Sequence, residues 1–135
     1  LLPLSALAGD DQVTNISMIG VACDVVDVWR RIEGHPSLVT YSGPAIEGDV
    51  YRWMDVHHCL ANKGAAVKLL RAQLNASNVI CFGDGANDLS MFECASECYA
   101  PANADSMILE AADEVIGHHD EDGVARFLRK RFELG

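Results

Sequence analysis

Val79-Ile80-Cys81-Phe82-Gly83-Asp84-Gly85-Ala86-Asn87-Asp88-Leu89-Ser90-Met91-Phe92 is the stretch that decides the fold. An apolar run of β-formers halts at a Gly-Asp-Gly turn and passes into a helical pattern, which gathers Asp84, Asn87 and Asp88 where a strand ends and a helix begins. Open α/β sheets bind their ligands at that position. Two carboxylates and an amide, on backbone that Gly83 and Gly85 leave free to approach a ligand, form a hard oxygen site suited to Mg²⁺ rather than Zn²⁺. A calcium loop of the EF-hand type is excluded, because Ala86 stands where a ligand belongs and Leu89 where a glycine belongs. A lone Asp there would only turn the chain or cap the next helix. With Asp84, Asn87 and Asp88 together, a metal loop is the better reading.

Upstream, Asn62 is placed to cap a helix whose apolar stripe is Ala66, Val67, Leu70 and Leu74. Lys63 falls in its first turn. A cation at that pole costs about 0.3–1 kcal/mol unless an anion is held nearby, and a phosphate would draw on both the ammonium and the free backbone N–H groups. Downstream, the pattern predicts a helix over Leu89–Ala95, a strand at Cys98–Ala100 that Pro101 breaks, and a helix capped by Asp105 and running to Ala112. A short strand at Glu114–Gly117 and a last helix over Glu121–Leu134 follow. Asp120, Glu121 and Asp122 open that helix as caps, and Arg129, Lys130 and Arg131 close it as a solvated end matching the macrodipole. Val124, Phe127, Leu128 and Phe132 supply its core face.

Alternating helices and strands mean a parallel sheet in a doubly wound α/β domain. Val79–Phe82, Cys98–Ala100 and Glu114–Ile116 are too few strands for one. They are an edge portion of a sheet whose other strands come from elsewhere.

Residues 1–57 read differently. Val13–Val21 alternates as a strand; Asp24 caps a helix in which Val25, Val28, Trp29 and Ile32 share a face; Gly34 and Pro36 stop it. Leu38–Tyr41 is a short strand, Ser42-Gly43-Pro44 a turn, and Val50–Val56 a further strand. The result is a β-α-β-β unit: an antiparallel hairpin with one amphipathic helix packed on it. Tyr41, Tyr51 and Trp53 are expected to pack on the sheet, and His35 to lie in a surface loop.

Composition narrows the function classes. The 135 residues, 50% hydrophobic, can bury one modest core or parts of two. Nothing spans a membrane. A formal charge of −10 argues against nucleic-acid or anionic-membrane partners. Cys23, Cys59, Cys81, Cys94 and Cys98 are odd in number and irregularly spaced, which fits a reducing cytoplasm. Cys94 and Cys98, on one helix face, could be joined with His57, His58, His118 and His119 into a zinc site, but the C-x₂-C spacing is absent. Leu1–Gly9, with Ala6-x-Ala8, is faintly like the end of a signal peptide and lacks a positive n-region, and the missing initiator Met suggests a start further upstream.

Gly83-Asp84-Gly85-Ala86-Asn87-Asp88 with Met91 resembles the fourth motif of haloacid dehalogenase (HAD) superfamily phosphatases, particularly the Cof-type branch with an inserted α/β cap. Lys63-Gly64 resembles the third. The resemblance extends through Asn103-Ala104 and Asp122-Gly123-Val124-Ala125. It implies a partial HAD-like (Rossmannoid) core over residues 58–135 and the end of an α/β cap over 1–57. It further implies Mg²⁺-dependent hydrolysis of small phosphorylated metabolites, such as sugar phosphates, through a phosphoaspartyl intermediate. Asp84 and Asp88 would then be Mg²⁺ ligands or their supports, Asn87 an amide that contacts the phosphate or supports a ligand from behind, Lys63 the catalytic phosphate clamp, and Gly83 and Gly85 the residues that let the loop approach the site closely.

The family's nucleophile motif, Asp-x-Asp-Gly after an apolar strand, is missing. Gly9-Asp10-Asp11 has no such strand before it, and Asp24-Val25-Val26-Asp27 starts a helix. The chain therefore resembles a C-terminal portion, inactive alone, whose N-terminal part of the core comes from the same gene or another chain. A non-catalytic HAD-like partner or binding module is the alternative, and phosphoryl transfer between sugars a third reading.

Overall fold

Polar and apolar residues alternate from Asn15 onward, and in the computed structural model, which describes residues 13–45 and 48–134, they form the first of six strands. Contacts divide the chain into two compact units, the boundary falling between Cys59 and Leu60.

The first unit runs β1 (Asn15–Val21), α1 (Ala22–Ile32), β2 (Leu38–Ala45), β3 (Gly48–His58). Its antiparallel sheet has the order β1-β3-β2, with Met18 and Ser42 both opposite Met54. Helix α1 covers one face. Val25 and Met54 are each 1% exposed there, with Val56 beside them and Met18, Val28, Trp29 and Ile32 packed around. The indole Nε1 of Trp29 donates to Thr40 Oγ1 at 2.8 Å, which satisfies the ring's polar end. On the other face Trp53 lies over Gly43, where a Cβ would come within 2.9 Å of the ring.

Two local expectations fail in this unit. Asp24 does not cap α1: Val21 holds the N-cap position without a side-chain bond, and Asp24 sits inside the first turn, where its charge still suits the helix pole. Ser42-Gly43-Pro44 is not a turn but part of β2, paired with Met54, Trp53 and Arg52. Ser42 Oγ donates to the Trp53 carbonyl at 2.8 Å, and Pro44 is tolerated because β2 is an edge strand. Residues 46–47, which join β2 to β3, lie outside the described residues, as do Gly9-Asp10-Asp11 and the rest of 1–12.

The second unit runs α2 (Lys63–Leu74), β4 (Ile80–Phe82), a 3-10 turn (Ala86–Asp88), α3 (Leu89–Phe92), β5 (Glu97–Pro101), α4 (Ser106–Ala111), β6 (Glu114–Ile116), a second 3-10 turn (His119–Glu121) and α5 (Gly123–Phe132). β4, β5 and β6 are parallel in that order. Cys81, Phe92, Cys98, Ala100, Ala104 and Ile108 form its core. Burial pushes the Cys98 thiol up to about 11 and raises that of Cys81 too, so both fill the core as neutral apolar groups. No disulfide joins any of the five cysteines. Since α3 stops at Phe92 and Cys98 belongs to β5, Cys94 and Cys98 do not share a helix face.

Helix starts differ from the sequence pattern in a consistent way. Asp105 occupies the N-cap of α4 through its backbone only. The last helix begins at Gly123 and not Glu121, because Asp122 adopts φ +55° and breaks the chain direction before it. Gly123 must be glycine for space: a Cβ there would lie 1.8 Å from the Gly117 carbonyl oxygen. The acidic run Asp120-Glu121-Asp122 does not cap α5 by side chain. Arg131, expected in solvent, pairs with Glu97 at 3.3 Å, and Glu97 also accepts from the Tyr99 hydroxyl at 2.5 Å. Phe132 is 48% exposed, leaving Val124, Phe127 and Leu128 half-buried on the helix's inner face.

Parallel strands put the loops after β4, β5 and β6 at one end of the sheet, and hydrogen bonds from main-chain N–H groups join them. Asp105 N–H donates to the Asp84 carbonyl at 2.9 Å, and His119 N–H to Asn103 Oδ1 at 3.1 Å. β4 has no partner on its outer edge among the described residues, and the α2 stripe beside it stays open, with Leu70 53% and Leu74 74% exposed. No described helix is long and apolar enough to cross a membrane.

Candidate active site

The loop after β4 is built around one carboxylate. Asp88 is 3% exposed, the only buried charged residue among those described. Its Oδ2 accepts from the backbone N–H groups of Asp84 at 3.0 Å and Gly85 at 3.2 Å. It thus reaches back to the start of the 3-10 turn as the third residue of a capping box does. Its Oδ1 accepts from Lys63 Nζ at 2.5 Å, across 25 residues of chain. Burial alone would raise the Asp88 pKa, but the Lys63 ammonium and the two N–H donors outweigh it and hold the carboxyl below its ordinary value.

Lys63 reaches this position because α2 packs tightly on α3. Gly64 sits so close that a Cβ would fall 2.0 Å from the Ser90 carbonyl oxygen, and its N–H donates to Ser90 Oγ at 3.0 Å. Asn62 Oδ1 accepts from Ala65 N–H at 2.8 Å, so it caps the helix as its sequence position predicts. The N–H groups of Gly64 and Ala65, expected to face a phosphate, are therefore already engaged. The anion that offsets the cost of a cation at this helix pole is the protein's own Asp88. The Lys63 side chain is still 48% exposed, and its ammonium keeps donors that Asp88 Oδ1 does not use.

Asp84 has the opposite character. It is exposed, and no hydrogen bond or ion pair engages its carboxylate among the described residues, although its backbone is fixed at N–H by Asp88 and at C=O by Asp105. Asn87, half-buried, lies in the same turn. Gly83 is required for space, since a Cβ would come within 2.6 Å of Asp88 Cβ and 3.0 Å of the Phe92 ring. A free, exposed carboxylate on a rigid loop suits a hard cation that keeps most of its waters, and a partly free ammonium nearby suits an anion.

The structure thus brings Lys63, Gly83, Asp84, Gly85, Asn87 and Asp88 into one neighbourhood. Sequence reasoning did not single out Ser90, which registers α2 against α3, or the Asp105 backbone that clamps Asp84. Ser90 occupies an ordinary position of a short helix, and a main-chain donor leaves no trace in residue identity.

Residues 45–128 match the family model of haloacid dehalogenase-like hydrolases. A putative phosphatase of Haemophilus influenzae is 38% identical over 120 residues, covering 87% of this chain and 44% of that protein. The pyridoxal phosphate phosphatase of Escherichia coli is 43% identical over 124 residues, covering 83% and 46%. The structure of a haloacid dehalogenase-like hydrolase from B. subtilis superposes with a TM-score of 0.69 at 30% identity, covering 84% of this chain and 39% of that one. The chain spans under half the length of these relatives. It is α/β, with part of a HAD-like core, and it belongs to the haloacid dehalogenase-like hydrolases.

Proposed function

We propose that this chain is the C-terminal portion of a phosphatase that hydrolyses small phosphorylated metabolites in the cytoplasm. The carrying observation is the convergence of Lys63 on the Asp84–Asp88 loop, 2.5 Å from Asp88 Oδ1, beside the unengaged carboxylate of Asp84. Family membership and relatives named as phosphatases support the reaction class. Five cysteines without a disulfide are in keeping with a reducing compartment.

The residues present fit Mg²⁺. Asp84 offers a hard oxygen, Asn87 another beside it, and Asp88, with both oxygens occupied, supports the loop and does not add a third ligand. When bound, the ion would neutralise charge on the phosphoryl group. Lys63 would do the same: its amine, positioned by the hydrogen bond to Asp88, draws the phosphoryl oxygens into register and stabilises the charge that builds on them during transfer. The rigid attachment of Asp84 to Asp88 and Asp105 holds the metal-facing carboxylate in place before substrate arrives.

The nucleophile belongs to the part of the core that this chain lacks, from the same gene or another chain. An apolar groove of about 410 Å³ lies between α2 and β4, lined by Val67, Leu70, Leu74, Ile80, Phe82 and Met91. With the unpaired edge of β4, it is suited to receive a further strand of the sheet. Residues 1–57 would be the end of a cap that selects the substrate.

Protein carrying the N-terminal part should hydrolyse an aryl phosphate in the presence of Mg²⁺, and Asp84→Asn or Lys63→Ala should each lower kcat by about 10²-fold or more, the scale of losing one main electrostatic stabiliser. Unchanged turnover in both variants would end the proposal. The 135-residue chain alone should be inert.

A further inference from the structure

The turn after β6 carries a group of side chains that the phosphatase reading does not use. One nitrogen from each of His118 and His119 and one carboxylate oxygen of Asp120 lie within 4.8 Å of one another. His119 Nε2 stands 2.8 Å from Asp120 Oδ1, and His118 Nδ1 3.6 Å from Asp120 Oδ2. The two imidazoles stack with centroids 4.5 Å apart.

The backbone holds this turn in shape independently of any ligand. His119 N–H is bonded to Asn103 Oδ1, and the Gly117–Gly123 contact is too close for any other residue at position 123. His118 Nδ1 accepts from the Asp120 N–H at 3.2 Å, which leaves the Nε2 of that ring for a ligand. Glu121 and Asp122 follow directly, so the immediate field favours a cation. His118 is half-buried, while His119 and Asp120 are exposed and open to solvent on one side. Two imidazoles and one carboxylate with open positions for water match the ligand preference of borderline divalent ions, Zn²⁺ above all, and not that of Mg²⁺.

We propose that His118, His119 and Asp120 form a binding site for Zn²⁺ or a similar transition-metal cation, separate from the Asp84 loop. A cation seated among the three donors after side-chain rotation would lie at the roughly 2.0–2.2 Å bond lengths of such a site. Binding would stabilise the second unit by linkage, since a cation that binds only the folded turn favours it.

The test is calorimetric titration of the metal-free 135-residue chain with Zn²⁺, thiols kept reduced, with and without a large excess of Mg²⁺. One site should titrate, indifferent to Mg²⁺. His119→Asn should weaken it at least tenfold. His118→Asn should do so as well, and because Asn can still serve as the cap acceptor for the 3-10 turn, that loss cannot be assigned to unfolding. Far-UV circular dichroism of both variants should match the parent. Absence of Zn²⁺ binding, displacement by Mg²⁺, or affinity unchanged in the two Asn variants, as the cysteines or His57 and His58 would produce, overturns the proposal.

Discussion

Replacing Asp88 by Asn tests the hub of the loop. The carboxylate accepts three hydrogen bonds, and an amide of the same shape has one acceptor oxygen where two stood. Either the Lys63 ammonium or the Asp84 and Gly85 N–H groups must then face an NH₂ donor. A charge-assisted bond contributes about 1.5–3 kcal/mol, and a buried donor left unmet costs about 1–3 kcal/mol. Lys63 is half-exposed and can turn into water, which discounts its share. The net loss should be about 2–4 kcal/mol. Native-state hydrogen exchange of the β5 amides reads this in the second unit alone, while Trp29 and Trp53 report on the first by fluorescence and should not change. A double-mutant cycle with Lys63→Met should give a coupling of about 1 kcal/mol or more. The sign with pH is fixed as well. Because the folded pKa is depressed below the ordinary value of 3.8, the carboxylate's contribution is complete above 3.8 and lost as pH falls through the folded value. The parent and the Asp88→Asn variant should therefore converge in stability on acidification. A change below about 0.5 kcal/mol at neutral pH, or no coupling to Lys63, would refute the reasoning.

Four further substitutions read other parts of the same frame. Gly64→Ala places a Cβ 2.0 Å from the Ser90 carbonyl and should cost at least about 1–3 kcal/mol, checked by urea denaturation; parent-like stability would mean that α2 can slide. Asn62→Ala removes a cap and should cost about 0.5–2 kcal/mol in the same assay. Met54→Ala opens a cavity in the first unit and should cost about 2–5 kcal/mol by tryptophan fluorescence, leaving β5 exchange unaltered. Asp84→Asn changes an exposed, unengaged carboxylate and should leave stability within about 0.5 kcal/mol by urea denaturation; a larger loss would reveal a structural role.

Long apolar periodicity and turn chemistry made most elements legible in the sequence. Asn62 caps α2 as its position suggested, and the strand–Gly-Asp-Gly–helix transition at Phe82–Leu89 is present as β4, a 3-10 turn and α3. The failures share a cause. Asp24, Asp105 and Asp122 are all residues of capping type near a helix start, yet the backbone enters each helix along a path on which that side chain makes no capping bond. Ser42-Gly43-Pro44 has turn composition, but Gly43 is required by the indole of Trp53 on the partner strand, a cross-strand demand that local composition cannot express. At the site, the proximity of Lys63 to Asp88 and the occupied state of both Asp88 oxygens depend on packing between α2 and α3, with Gly64 and Ser90 as the contact.

That packing explains how two aspartates four residues apart come to differ. Both are drawn from one loop and have the same chemistry in isolation. Asp88 is buried, accepts three bonds and is held ionised by a lysine, so most of its acceptor capacity is committed to the fold. Asp84 is exposed and commits only its main chain to the fold. The proposed metal-binding task therefore falls to the aspartate whose side chain the structure does not otherwise need. The other fixes the loop and, through the same carboxylate, holds the Lys63 amine in position. Losing Asp88 would disturb stability and activity together, whereas losing Asp84 would disturb activity alone.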